Sequence, residues 1–211
     1  MGPLLMTGLA CFGAAVGIGL LASAAVLPAG PPAAVASYRL ASRSLVIVLA
    51  AFAEGLAVLG IVVGLLAVES GLVTDPADGI FAAGPALLGA LIGLGLILVH
   101  SSTLDARTAA FCAMFTIGIG LLGVVVAALA WFIAVPGAET GGGLAFTVLG
   151  LVSGTAAVGL GVVGSGGIRT IPDGDADALK AYQSRVIYRS TPFQVAGIAA
   201  SAVAIALVYL A

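Results

Sequence analysis

Residues 43–68 read RSLVIVLAAFAEGLAVLGIVVGLLAV. The run is about the length needed to cross a bilayer as one helix, roughly 20 apolar residues. A single acid, Glu54, interrupts it near the middle. An ionised, unpaired carboxylate at that depth costs roughly 3 kcal/mol or more, so acids there are rare and usually functional. The other long apolar segments hold no acid or base in their interiors. The reading of the chain turns on what one carboxylate among apolar helices is for.

Composition sets the class. Of 211 residues, 62% are hydrophobic and 8% charged, where a soluble domain has about a quarter of its residues charged. This is the composition of an integral, all-α membrane protein. Glycine contributes 31 residues and aromatics only 6%. In lipid, small residues let helix backbones approach closely, and burying apolar surface gives no drive for association. The net charge of -2 and the lack of a basic patch with interleaved aromatics exclude nucleic acid as a partner. Cys11 and Cys112 lie in apolar runs and read as small buried hydrophobes. No cofactor or metal site is expected. The N-terminal stretch MGPLLMTGLACFGAAV has no basic n-region, so no cleaved signal peptide is expected. Its Leu9-Ala10-Cys11 triplet reads as ordinary Gly/Ala-rich helix rather than a lipidation site.

Six apolar runs are long enough to span: Leu5–Val26, Leu45–Val68, Phe81–Val99, Ala109–Val135, Leu144–Val163 and Pro192–Leu210. They must be helical, because backbone polar groups in lipid have to be satisfied internally. The connections after the first, third and fifth runs hold Arg39, Arg43, Arg107, Arg169, Lys180, Arg185 and Arg189, every Lys and Arg in the chain. Those after the second and fourth hold Glu69, Asp75, Asp78 and Glu139 and no base. Basic loops stay cytoplasmic, so both termini are expected on the outer or lumenal side. The longest connection, residues 165–191, is expected to be a solvated loop. The lesser reading extends the last helix over Ala176–Tyr188 as a contact surface for a soluble partner.

The chain also repeats. GLACFGAAVGIG from Gly8, GPALLGALIGLG from Gly84 and AFTVLGLVSGTA from Ala145 align Gly13 with Gly89 and Gly150, and Gly17 with Gly93 and Gly154. Each pair is spaced i, i+4 and so shares one helix face, the small-xxx-small pattern of close helix contact. The second helices align on Phe52, Phe115 and Phe193, which sets Glu54 opposite Ile117 and Val195. The expected organisation is three tandem helical hairpins, over residues 1–68, 69–135 and 136–211, with the acid in the first alone.

Glycine-rich first helices, a basic loop, and a second helix reading FAEGLAVLGIVVGLLAV resemble the proteolipid subunit of rotary ATPases, in its V-type and archaeal A-type branch, called c or K. Two-hairpin members of that branch usually carry the Glu in the second hairpin; here it lies in the first of three. The resemblance implies a non-catalytic, ion-translocating rotor subunit. Copies would form a membrane ring with odd helices inside and even helices outside. Glu54 would be the reversible ion carrier, neutral while it passes lipid and ionised opposite a basic residue of a stator membrane subunit. The partners implied are further copies, that stator, a soluble central-stalk subunit at the cytoplasmic loops, and lipid.

The cargo is expected to be H⁺. A Na⁺ site needs several oxygen ligands to replace the ion's hydration shell. Around Glu54 the neighbours on its own helix are Ala50, Ala51, Ala57 and Val58. Thr116, Ser153, Thr155 and Gln194 lie in other repeats and read as packing hydroxyls and an amide. His100 reads as an interfacial residue at a helix C-terminus rather than a proton relay, and Trp131 and Tyr209 as interfacial anchors. A proton-coupled six-helix transporter or channel is the competing class, and a scaffold with an incidental acid is a third. Transporters show broken helices and several polar groups near the midplane, which this sequence lacks.

Overall fold

The computed structural model describes residues 2–25, 32–73, 75–133, 143–172 and 175–210. The backbone forms six helices: α1 (Leu4–Ala24), α2 (Pro32–Glu69), α3 (Ala77–Val99), α4 (Ala106–Ile133), α5 (Gly143–Arg169) and α6 (Ala176–Leu210). All six are long and apolar enough to cross a membrane. The chain is a multi-pass membrane protein.

α1 is the centre. It packs against α2, α3, α4 and α5, and most of its residues are buried within the chain. A helix that is apolar all round belongs inside other helices. Among the described residues α3 touches α1 and α4, and α5 touches α1, α2 and α6, while α3 and α5 do not meet. α2 contacts α1, α4, α5 and α6. These contacts define two rows, α3–α1–α5 and α4–α2–α6, laid one against the other.

Glycine makes the first row possible. Gly13 and Gly17 of α1 lie against the backbone of Gly154 and Ala157 of α5. Gly89 and Gly93 of α3 lie against Phe12 and Ala15 of α1. Gly150 and Gly154 of α5 lie against Met6 and Leu9 of α1; a Cβ on Gly150 would stand 2.7 Å from Met6 Cα. All six positions are places where two main chains touch. One interhelical hydrogen bond adds to this: the buried Thr7 hydroxyl donates to the Gly60 carbonyl at 2.8 Å, tying α1 to α2. Another ties α1 to α3, where Gly2 N–H donates to Asp78 Oδ1 at 2.9 Å. Asp78 is thus a buried tether in the first turn of α3 rather than a loop acid.

The connection at residues 165–191 is largely helical, contrary to the solvated loop expected of it. α5 runs on to Arg169 and α6 begins at Ala176. Asp175 caps that start by accepting the Ala178 N–H at 2.9 Å. The Tyr182 hydroxyl donates to Gly167 O at 2.9 Å, which folds the new turns back on α5. Ala, Leu, Lys, Gln and Arg dominate the segment and favour helix. Pro192, read as a helix start, lies inside continuous helix, as Pro85 does in α3. α2 likewise begins at Pro32, well before the apolar run. Its 38 residues make a helix of about 57 Å, against a hydrocarbon core of about 30 Å. The extensions of α2 and α6 touch, with Gln183 Nε2 donating to Ala41 O at 3.2 Å.

Two predictions follow from this packing. Gly93→Leu drives a branched side chain into the Ala15 main chain and Thr116. Overpacking costs about 1–3 kcal/mol, so thermal unfolding in detergent should shift down by several degrees, and an unchanged midpoint contradicts the close contact. Asp105 precedes α4, and its Oδ2 accepts the Thr108 N–H and hydroxyl at 3.2 Å each. Slight burial pushes its carboxyl up, but those two bonds and the charges of Arg39 and Arg43 outweigh it and leave it below the ordinary 3.8. A carboxyl lowered by folding contributes stability above its unfolded value and loses it as pH falls through the folded one. Asp105→Ala should therefore destabilise by about 1 kcal/mol near neutral pH, with the difference from wild type vanishing only in acid well below 3.8.

Candidate functional site

Glu54 lies about three-fifths of the way along α2 and is half-buried. Its helix neighbours Ala53, Leu56 and Ala57 are buried, while Ala51, Phe52, Gly55 and Val58 are exposed. The acid therefore stands at the edge of the buried face. Ile117 and Val195, which align with it in the repeat, are 42% and 59% exposed. Those two are exposed, while Glu54 sits at the edge of the buried face.

Glu54 opens onto a cavity of about 480 Å³ between α2 and α6. Ala51, Phe52, Gly55, Leu56, Val58 and Leu59 line it from α2, and Gln194 and Ile198 from α6. Gln194, read from sequence as a packing amide, is the one other residue with a polar side chain on that wall. Its orientation is fixed by a short chain of bonds. Gln194 Nε2 donates to Ser190 Oγ at 2.8 Å, and Ser190 Oγ donates to Ile187 O at 2.7 Å. That bond takes one of the two amide N–H groups, so the second N–H and the carbonyl oxygen remain for a group in the cavity. A neutral carboxylic acid has one O–H to donate and finds an acceptor there. No second ionisable group lines the cavity. The sequence reads Gln194 as a packing amide because 140 residues separate it from Glu54; only the packing of α6 on α2 brings them together.

The other polar candidates lie elsewhere. Thr155 spends its hydroxyl on its own helix, donating to Leu151 O at 2.7 Å. Thr116 and Ser153 are fully buried and their hydroxyls have no partner. None of the three lines the Glu54 cavity. His100 caps the end of α3, with Nδ1 2.9 Å from Leu96 O, and is not on the cavity wall. Tyr209 is 75% exposed near the end of α6. The Trp131 side chain and Glu139 lie outside the described residues. Cys11 and Cys112 are buried and free. Among the described residues no group of three or more His, Cys, Asp or Glu could hold a metal ion.

No family model, curated protein or solved structure matches the chain. The reading of the site accordingly stands on its geometry. The cavity is lined by α2 and α6 of one chain, which predicts that the site forms without a second copy. A lipid-soluble carbodiimide should label Glu54 in the isolated, monomeric chain in detergent, and a charged, water-soluble one should label it poorly. Labelling that appears only in an oligomer would show that a second copy completes the site.

Proposed function

We propose that the chain is a rotor-ring subunit of a V-type or A-type rotary ATPase, built as three tandem helical hairpins, that carries protons on Glu54. The observation that carries the reading is the position of Glu54. It is a single intramembrane acid on the middle helix of the α4–α2–α6 row, facing outward beside one amide. The row of odd helices, packed through glycine backbones, is the inner surface of such a ring, and the even row its lipid-facing surface. Pairing of α1 with α2, α3 with α4 and α5 with α6 supports the hairpins.

The mechanism follows from the carboxyl. Protonated, Glu54 is neutral beside the Gln194 amide and turns past lipid without the cost of a charge in hydrocarbon. Opposite a stator's basic residue and a water-filled half-channel, the ionised form is favoured and the proton leaves. Proton loss on one side and gain on the other couples rotation to transport. Glu54 with one amide oxygen is a sparse ligand set for Na⁺, which favours H⁺.

Glu54→Gln keeps size and hydrogen bonding but cannot titrate. It should abolish ATP-coupled proton uptake in reconstituted vesicles while ring assembly persists. Carbodiimide labelling of the wild type should fall as pH rises and be unaffected by Na⁺; protection by Na⁺ would reassign the cargo. Electron-microscopic class averages should show a closed ring. A monomeric or dimeric particle with intact transport would assign the chain instead to the proton-coupled transporters.

A further inference from the structure

Three arginines converge at the end of the bundle where α2, α4 and α6 begin. Arg39 and Arg43 lie one turn apart on α2, and Arg107 stands in the first turn of α4. With Ala36, Leu40 and Asp105 they line a cleft of about 410 Å³. The two elements come together only through the packing of α4 on α2. Asp105 is already engaged, accepting from Thr108 and facing Arg39 and Arg43. One carboxylate against three guanidinium groups leaves the cleft with two unbalanced positive charges.

Depth decides what this cleft meets. Arg43 precedes Glu54 by eleven residues, three helical turns, and so shares its face of α2. At 1.5 Å per residue the two are about 16 Å apart, and half the hydrocarbon thickness is about 15 Å. With Glu54 near the midplane of its apolar run, Arg43 falls at the level of lipid phosphates, and Arg39 one turn further out. Below the arginines the same face turns apolar, with Ile47 38% exposed and Ala51 exposed behind it. Leu40, 74% exposed, stands at the rim of the cleft. Guanidinium presents paired N–H donors matched to phosphate oxygens. A cleft for a soluble anion has no use for an apolar rim and an apolar face leading away from it; a lipid uses both.

We propose that Arg39, Arg43 and Arg107 bind the phosphate of an anionic phospholipid whose acyl chains lie along the exposed Ile47–Ala51 face of α2. The site requires only that these helices cross a bilayer, so it stands or falls separately from the rotor reading. A zwitterionic lipid brings a cation into a cleft already in positive excess and is disfavoured. Bound here, the lipid occupies the outer surface of α2 directly below Glu54.

The test is native mass spectrometry of the full chain released from nanodiscs of equimolar phosphatidylglycerol and phosphatidylcholine. Phosphatidylglycerol should be retained about tenfold over phosphatidylcholine, the scale expected of a few basic side chains at an anionic surface. The R39Q/R43Q/R107Q variant should lose that preference. Asp105→Asn removes the competing carboxylate and should strengthen retention, a gain that a misfolded chain cannot produce. Millimolar inorganic phosphate should not displace the lipid. Equal retention of the two lipids, a preference unchanged in the triple variant, weaker retention in Asp105→Asn, or displacement by inorganic phosphate would each overturn the assignment.

Discussion

Main-chain contact between helices is the constraint on which the rest of this fold depends. In lipid, apolar surface gains nothing by leaving its solvent, so association rests on close van der Waals approach and on hydrogen bonds. α1 meets α3 and α5 at glycines on both of its flanks, and it can do so only because no side chain intervenes. That contact places α1 at the centre, sets α3 and α5 on either side, and leaves α2, α4 and α6 to form the second row. The large side chains are displaced outward in consequence. Leu87, Leu88 and Leu91 of α3, Leu121 and Val125 of α4, and Val195 and Ile198 of α6 are all about half exposed or more. In water such a surface would be a liability; in a bilayer it is the face presented to solvent.

The placement of the acid follows from this order. Because α1 is central and α2 packs on it, α2 has α4 on one flank and α6 on the other. A carboxyl on the outward edge of α2 therefore has α6 of its own chain on one side, and α6 brings Gln194 to it. Ser190 makes that amide useful. By accepting one amide N–H, and itself donating to Ile187 O, it holds the amide at the cavity and leaves the carbonyl and the second N–H free. The carbonyl matches the protonated acid, and the remaining N–H the carboxylate.

The six spans were legible because hydrophobic run length is a direct consequence of bilayer thickness. The glycines at 13, 17, 89, 93, 150 and 154 could be singled out because their i, i+4 spacing puts each pair on one face, and the structure sets each against a neighbouring main chain. Glu54 stood out because charge in hydrocarbon is costly. What the sequence hid has equally physical causes. The extensions of α2 and α6 carry ordinary helix formers without an apolar stripe, so hydropathy marks no start at Pro32 or Ala176. Asp78 looked like a loop acid, since nothing local announces that the Gly2 N–H will reach it across 76 residues. Gln194 and the three-arginine cleft depend on which helices pack together, and a repeat pattern does not say whether α1 and α2 lie in the middle or at an end.

On the rotor reading, the position of the acid bears on energetics as well as geometry. With Ile117 and Val195 at the positions matching Glu54, each chain brings one ionisable site for six helices, where a two-helix proteolipid brings one for two. For rings of similar helix number, a full turn then moves about a third as many protons. The ATP hydrolysed per turn is set by the soluble motor, so each proton receives correspondingly more free energy. Moving one charge through 100 mV requires about 2.3 kcal/mol, so a rotor with few sites can work against a steep gradient that would stall one with many. The same ratio serves synthesis poorly, since few protons per turn must then supply each ATP. On that reading, one carboxyl for six helices suits a rotor that pumps.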